Sequence, residues 1–192
     1  FEVLDKIHKK GLSPDITTYN NLLNACFIVG NFEVADKLTD EIFDFGSPVQ
    51  PDLSTFNILL KGISCKIDTL QTPEEKAKLV AVMDKIFEDL KKNAIHKPND
   101  VTINTALDIL IKGNEIKRAW DLFDCMKETY GVEPDKYSYS TIIKALKYEL
   151  DSTKLERAFG ILEYLKHKSG TVSNDEIIFN CLIDVCLKLN LM

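Results

Sequence analysis

The sequence predicts an all-α fold, a right-handed α-solenoid of antiparallel helix-turn-helix repeats, from three observations. A phrase made of a turn, an aromatic residue or Ile, then Asn or Ser, then an apolar run recurs at 13–23, 50–60, 97–107, 133–143 and 173–183. The Asn or Ser of successive phrases is separated by 37, 47, 36 and 40 residues, a period typical of helical repeats. Each interval contains two segments of helical apolar spacing. Because one helical hairpin cannot bury its apolar face alone, the hairpins are expected to stack.

The first complete repeat follows a stretch, 1–10, that has the pattern of a second helix. Its own first helix is predicted over 16–29, where apolar residues recur at helical spacing until Gly30 and Asn31 end it. Its second helix is predicted over 32–45. The apolar face of that helix consists of Phe32, Ala35, Leu38, Ile42 and Phe45.

The later repeats follow the same plan, with extra chain in the second. There the helices are predicted over 53–66 and 73–92, and Thr72, Pro73 and Glu75 form a strong helix start with a capping box. The remaining helices are predicted over 100–112, 114–131, 136–149, 155–170 and 176–190. We therefore interpret 1–192 as one array cut from a longer chain. It consists of the end of a repeat (1–15), four repeats (16–52, 53–99, 100–135 and 136–175) and the start of another (176–192).

Composition favours a packed protein and gives no sign of catalysis. The chain is 45% hydrophobic, and no apolar run approaches the roughly 20 residues of a membrane span. No Cys-x-x-Cys, clustered carboxylates or glycine-rich phosphate loop occurs, so we predict no enzyme, catalytic residue, metal site or cofactor. The five cysteines are expected to be buried free thiols. The net charge of −6 divides into +2 on the five predicted first helices and −8 elsewhere.

Taken together, these phrases resemble the pentatricopeptide repeat. Its opening (Val-Thr-Tyr-Asn-Thr-Leu-Ile), middle (Gly-Arg-Leu-Glu-Glu-Ala) and close (Met-x-x-x-Gly-x-x-Pro-Asp) are matched here by ITTYNNLL, GNFEVA, AWDLFDCM and YGVEPD. The resemblance covers nearly the whole chain in five copies. It implies modular binding of single-stranded RNA, one base per repeat.

The resemblance also implies which residues contact the bases. The Asn or Ser of the phrase, here called the polar position, acts with the last residue of the same repeat. This pairs Asn20 with Asp52, Asn57 with Asn99, Asn104 with Asp135, and Ser140 with Asp175. Asn180 is the polar position of the repeat that begins at 176. By family habit, Asn with Asp favours U, Asn with Asn a pyrimidine, and Ser with Asp G. The expected sequence is then U-pyrimidine-U-G.

Two further classes of contact come from the same resemblance. The residue three before the polar position wedges between bases, a role that Val101 and Tyr137 fit and that the polar Thr17 and Ser54 fit poorly. A lysine near the end of the first helix faces phosphate, and Lys112 and Lys188 occupy that place. At the equivalent positions stand Ile28, Cys65 and Tyr148, so few cations are expected to support RNA affinity.

Alternatives remain open at this stage. Asn, Ser and Asp at a helix start can serve only as caps that satisfy backbone groups. The repeats can also hold a protein or ribosomal RNA as a scaffold in a large assembly such as an organellar ribosome, because solenoid surfaces serve either use. The target could thus be mRNA or rRNA, with protein partners. The resemblance implies a mitochondrial or plastid location and a role in RNA processing, stability or translation.

Overall fold

The computed structural model describes residues 9–44, 46–47, 49–92, 97–146 and 148, and single helical positions at 156, 159–161, 163, 176, 179–181, 183 and 187. Across these residues the regular structure is helical, without a strand. The prediction of an all-α fold is therefore confirmed for the described part of the chain. Two compact units, Phe1–Lys97 and Pro98–Met192, divide the protein, and each is described by itself.

From residue 10 to residue 92, the described part of the first unit contains α1 (Ile16–Ile28), α2 (Phe32–Phe43), α3 (Leu53–Ile67) and α4 (Pro73–Lys92). Helix α1 packs against both α2 and α3, and α3 packs against α4. Tyr19, Leu23, Leu38 and Ile42 are buried between α1 and α2, and Leu59 of α3 joins them. Because the next repeat supplies part of this core, the hairpin is stabilised by stacking, as the repeat pattern predicts.

The turn between α1 and α2 is set by two residues. Gly30 adopts a φ of 72°, a left-handed conformation that glycine takes without steric cost. Asn31 then caps α2, because its side-chain oxygen accepts a hydrogen bond from the Val34 N–H at 3.2 Å. So short a connection makes α1 and α2 antiparallel neighbours.

The second unit contains α5 (Asp100–Lys112), α6 (Ile116–Tyr130) and α7 (Lys136–Ala145). Helix α5 packs against α6 and α7, which also pack against each other. An edge-on aromatic contact joins α6 to α7, with the ring centroids of Phe123 and Tyr139 5.6 Å apart. Within α6, the ring centroids of Trp120 and Phe123 are 6.2 Å apart. Phe123 thus fills space between the two helices.

Helix starts agree with the predictions better than helix ends do. The Glu75 N–H donates to the Thr72 hydroxyl at 3.3 Å, so the predicted start of α4 is confirmed. The helices predicted over 32–45 and 136–149 instead end at Phe43 and Ala145. Phe45, predicted as part of the apolar face of the first of these helices, lies outside the described residues. After Ala145 the chain turns through tighter hydrogen bonds, from the Leu146 N–H to the Ile143 carbonyl and from the Tyr148 N–H to the Ala145 carbonyl.

The described cysteines are less buried than the sequence analysis predicts. Among the described cysteines, all free thiols, Cys65 is exposed, and Cys26, Cys125 and Cys181 are half-buried. Cys65 lies two turns after Asn57 on α3, so it shares the face of the polar position and is not packed in the core. The apolar pattern of a repeat helix therefore does not bury every small apolar residue.

Candidate nucleic-acid interface

The recurring phrase places one side chain in the core and the next at the edge of the core. In helices α1, α3, α5 and α7 the aromatic residue or Ile is almost fully buried, with exposed fractions of 3%, 4%, 0% and 7% for Tyr19, Phe56, Ile103 and Tyr139. In the fifth phrase Phe179 is 42% exposed. Because the buried anchor fixes the rotation of its helix, the following polar residue takes the same place in those four helices. The anchor thus explains why a hydrogen-bonding residue sits at a constant position near the helix start.

Asn20 and Asp52, predicted as a pair, are brought together in the first unit. The Asn20 Nδ2 donates to the Asp52 Oδ1 at 3.2 Å, across 32 residues of sequence. Asp52 also caps α3, accepting from the Thr55 N–H at 2.8 Å and from the Thr55 hydroxyl at 2.9 Å. The same Asp52 carboxylate therefore caps a helix and accepts a hydrogen bond from the polar position of the preceding phrase.

Asn104 and Asp135 form the matching pair in the second unit. The Asn104 Nδ2 donates to the Asp135 Oδ1 at 3.1 Å, and Asp135 caps α7 through the Ser138 N–H at 2.8 Å. Here the Ser138 hydroxyl also donates to the Asn104 Oδ1 at 2.6 Å. Both ends of the Asn104 amide are thus held by the start of the next repeat.

The two pairs differ in the amide oxygen. The Asn20 Oδ1 is buried and has no hydrogen-bond partner, and the whole residue is only 7% exposed. A buried acceptor without a partner costs about 1–3 kcal/mol. Thr55, which stands where Ser138 stands in the second unit, gives its hydroxyl to Asp52 instead. The Asn20 oxygen thus lacks the partner that Ser138 gives to the Asn104 oxygen.

The other two predicted pairs, Asn57 with Asn99 and Ser140 with Asp175, stay predictions. Asn57 and Asn99 belong to different units, so their pairing stays a prediction, and Asn99 caps α5 through the Thr102 N–H at 3.0 Å. Ser140 is buried, and its hydroxyl donates to the Tyr137 carbonyl at 3.0 Å. Asn180 is helical and exposed, whereas Asp175 and Lys188 lie outside the described residues.

The predicted wedge residues are exposed at the starts of their helices. Val101 and Tyr137 have exposed fractions of 51% and 53%. The Lys136 Nζ lies 5.2 Å from the centroid of the Tyr137 ring. Thr17 and Ser54 are also exposed at the equivalent places. The apolar surface that a base could stack on is therefore concentrated in the second unit.

The cations include two lysines that the sequence analysis missed. Lys112, predicted to face phosphate, forms an ion pair with Asp108 at 2.8 Å, which neutralises part of its charge. Lys61 and Lys144 are exposed, one turn after Asn57 and Ser140 on the same helix face. The Lys61 Nζ also lies 3.5 Å from the Asn24 Oδ1 of α1. The four-residue spacing from the polar position was the signal that could have identified both.

Hydrogen bonds lower the pKa of both paired carboxylates. Partial burial of Asp52 raises its pKa, but the hydrogen bonds from Thr55 and Asn20 outweigh burial and hold the pKa below its usual value. The pKa of Asp135 is lowered in the same way: burial raises it, but hydrogen bonds from Ser138 and Asn104 outweigh burial. The folded protein therefore stabilises the charged form of each carboxylate.

This lowered pKa predicts a pH-dependent stability. A carboxyl group whose pKa is lower in the folded state stabilises the fold above its unfolded pKa of about 3.9 and loses that contribution as the pH falls through the folded value. We expect the double variant Asp52→Asn/Asp135→Asn to show a flatter fall in unfolding free energy below about pH 4, measured by urea unfolding. The charge-matched control Asp40→Asn/Asp121→Asn alters exposed carboxylates. An equally flat profile for the control would contradict the prediction.

Neither a metal site nor a membrane span is found in the described part of the chain. Its His, Cys, Asp and Glu side chains form no group of three or more that could hold a metal ion. Its helices include none that is long and apolar enough to cross a bilayer. The described helix starts instead carry amide, carboxylate and hydroxyl groups, which can donate and accept hydrogen bonds.

Comparison with known proteins identifies relatives along the whole chain. The model of the PPR repeat family matches residues 14–65 and 98–148, more than half of the chain. The mitochondrial 15S rRNA processing factor CCM1 of Yarrowia lipolytica is 24% identical over 191 residues, covering 97% of this chain. A chloroplastic pentatricopeptide repeat-containing protein of Arabidopsis thaliana is 25% identical over 191 residues, covering all of it. The chain spans about a fifth of the length of these two relatives, 22% in each case.

Solved structures show the fold. The pentatricopeptide repeat protein PPR10 from maize matches with a TM-score of 0.69 and 21% identity, covering 97% of this chain and 24% of that one. The same protein in complex with an 18-nt psaJ RNA element matches with a TM-score of 0.70 and 20% identity, covering 95% of this chain and 24% of that one. This likeness confirms the predicted fold class, an α-solenoid built from helical hairpins.

Proposed function

The chain belongs to the pentatricopeptide repeat family, and on that premise we propose that it binds single-stranded RNA along the first helices of its repeats. Each repeat contacts one base through its polar position and its last residue. The segment has a binding role and no catalytic one. The repeat boundaries predicted from the sequence, 16–52, 53–99, 100–135 and 136–175, define the four base-binding units of this proposal.

The observation that carries the proposal is the pair of preformed amide–carboxylate contacts. Asn20 with Asp52 and Asn104 with Asp135 meet at 3.2 and 3.1 Å. Each amide nitrogen has two hydrogens and gives one to the carboxylate, so the other hydrogen can be given to a base. Because the groups are already oriented, binding costs less conformational entropy than it would with free side chains.

The bases and phosphates are contacted by the neighbouring exposed groups. Val101 and Tyr137 supply apolar surface against which a base stacks, and base–aromatic stacking contributes about 1–3 kcal/mol per base. Lys61, Lys112 and Lys144 supply positive charge near the same face for the phosphates. Asn57, Asn99, Ser140, Asp175, Asn180 and Lys188 complete the proposed set by family resemblance. The expected sequence remains U-pyrimidine-U-G.

We place this activity in a mitochondrion or plastid, in RNA processing, stability or translation. The names of the relatives support this: one is a mitochondrial rRNA processing factor and another is chloroplastic. Ribosomal RNA and mRNA both fit the proposed contacts. A scaffold role in a large assembly is the second candidate, and the ion pair that ties Lys112 to Asp108 favours it, because that pair reduces the charge available to phosphate.

Substitution of Asn20 tests the proposal with little effect on the fold. Asn20→Ala removes one 3.2 Å hydrogen bond and a buried oxygen that has no partner, so the two losses nearly cancel in stability. With the full-length protein and a randomised pool of single-stranded RNA, we expect selectivity at one base to be lost and affinity for the preferred base to fall about tenfold. The adjacent, exposed Asn21→Ala serves as the control.

Two outcomes would contradict the proposed function. If the unsubstituted protein enriches no sequence from the pool at physiological salt, base-selective binding by this segment is wrong. If Asn20→Ala and Asn21→Ala lose selectivity equally, the polar position is not where the base is recognised. Unfolding of Asn20→Ala, followed by circular dichroism, would show instead that the amide has a structural role.

A further inference from the structure

An open apolar cleft lies in the first unit, away from the polar positions. Its volume is about 320 Å³, and it lies between α2 and α4 with α3 as its floor. Phe43 on one wall, Phe56, Leu59 and Ile63 on the floor, and Val82 and Ile86 on the other wall supply most of its apolar lining. Phe43 and Val82 remain 44% and 43% exposed, so the cleft presents apolar surface to solvent.

The sequence of α2 explains why this cleft is open. When Ala35 of α2 is aligned with Ala119 of α6, both fully buried, Asp36 and Thr39 stand where α6 carries Trp120 and Phe123. In the second unit Trp120 is buried beside Phe123, and Phe123 meets Tyr139 of α7. In the first unit the small polar side chains of Asp36 and Thr39 leave the corresponding space empty and line the cleft.

The α2 wall of the cleft is acidic. Asp36 lines the cleft, Asp40 lies one helical turn from lining residues on the same face, and α2 as a whole carries four acidic residues and one lysine. Asp36 and Asp40 are here called the acidic rim, and a cationic partner is favoured along it.

The other walls carry charges of both signs. On α4, Asp89 lines the cleft and Glu75, Lys78 and Lys85 lie one helical turn from lining residues. On the floor, the Lys66 Nζ lies 3.6 Å from the Asp36 Oδ2.

The cleft and the proposed RNA contacts lie on opposite sides of α3. At 100° per residue, Phe56, Leu59 and Ile63 fall within one narrow sector of the helix. Ser54, Asn57 and Lys61 fall in the sector roughly opposite. A ligand in the cleft and an RNA at the polar positions therefore do not compete for the same face of α3.

We propose that this cleft docks an amphipathic helix of a partner protein, with an apolar ridge flanked by Lys or Arg. The apolar walls accept the ridge, as grooves do for helical peptides at i, i+3, i+4 and i+7 positions. The acidic rim pairs with the flanking cations and rejects helices with acidic flanks. The partner binds while the opposite face of α3 remains open to RNA, so the segment joins a second protein to the bound transcript.

Synthetic helical peptides test this with the full-length protein. A fluorescent peptide with a Leu ridge and Lys flanks is expected to bind. Two control peptides are expected to bind at least tenfold more weakly. The first has the same ridge with Glu flanks, and the second has the same Lys flanks with Ser in place of the ridge. Val82→Lys puts a cation inside the cleft and should weaken binding of the first peptide at least tenfold. Val29→Lys makes the same change at a site in the first unit that is 75% exposed and outside the cleft lining, and should leave binding unchanged.

Several results would overturn the proposal. Equal binding of the Lys-flanked and Glu-flanked peptides would remove the role of the acidic rim. Equal effects of Val82→Lys and Val29→Lys would place the peptide elsewhere, and displacement of the peptide by single-stranded RNA would show one shared site. Self-association that Val82→Lys abolishes, seen by sedimentation, would identify a second copy as the occupant. Unchanged RNA affinity in Val82→Lys supports independence from the RNA site and separates the two proposals.

Discussion

Gly62→Ala is expected to lower the free energy of unfolding by about 1–3 kcal/mol, although alanine is the better helix former. Gly62 lies within α3, and a Cβ built there would be 2.4–2.6 Å from three atoms of the Phe27 ring of α1. An aromatic ring is rigid, so either the ring or the helix backbone must move. The gain of about 1 kcal/mol in helix propensity does not offset that overpacking.

Gly160→Ala is the matched control, because it makes the same change where there is room. Gly160 is helical, and a Cβ there would meet nothing within 4 Å. We expect it to raise the unfolding free energy by up to about 1 kcal/mol, from helix propensity alone. Urea unfolding of the two variants should therefore give shifts of opposite sign. Stabilisation by both substitutions would show that Phe27 does not pack on the α3 backbone.

The starts of the repeats could be predicted because their signals are local. Asp15, Asp52, Asn99 and Asp135 each cap the following helix through the backbone N–H three residues later, and the sequence shows both members of each cap. The end of α7 was not predicted, because the apolar pattern continues past Ala145 while the backbone turns. A helix ends where its carbonyls find other partners, and that depends on tertiary packing.

The differences between repeats could not be predicted from the phrase. Thr55 and Ser138 occupy the same place in it, yet Ser138 donates to the Asn104 amide and Thr55 donates only to Asp52. A difference of this kind depends on how the side chains are oriented in the folded protein, which the phrase does not specify. The apolar cleft was missed for a similar reason, since Asp36 and Thr39 look like ordinary surface residues until Trp120 and Phe123 are seen filling the corresponding space.

Asp135→Ala is expected to destabilise the protein by about 2–3 kcal/mol. It removes the cap of α7, a loss of about 1 kcal/mol, and leaves the Asn104 Nδ2 and the Ser138 N–H without their acceptor. Thermal or urea unfolding of the protein measures the loss. A change of less than about 0.5 kcal/mol would contradict the hydrogen-bond network described for the second unit.

Asp135→Asn separates the two roles of this side chain. Asn99 already caps α5 in the same geometry, accepting from the Thr102 N–H at 3.0 Å, so an amide at 135 should keep the stability within about 1 kcal/mol. The pair at this repeat then becomes Asn with Asn, which in the family favours a pyrimidine. We therefore expect preference at that base to broaden from U to U and C in a randomised RNA pool. Unchanged preference in a stable Asp135→Asn protein would mean that the carboxylate acts as a helix cap and takes no part in selecting the base.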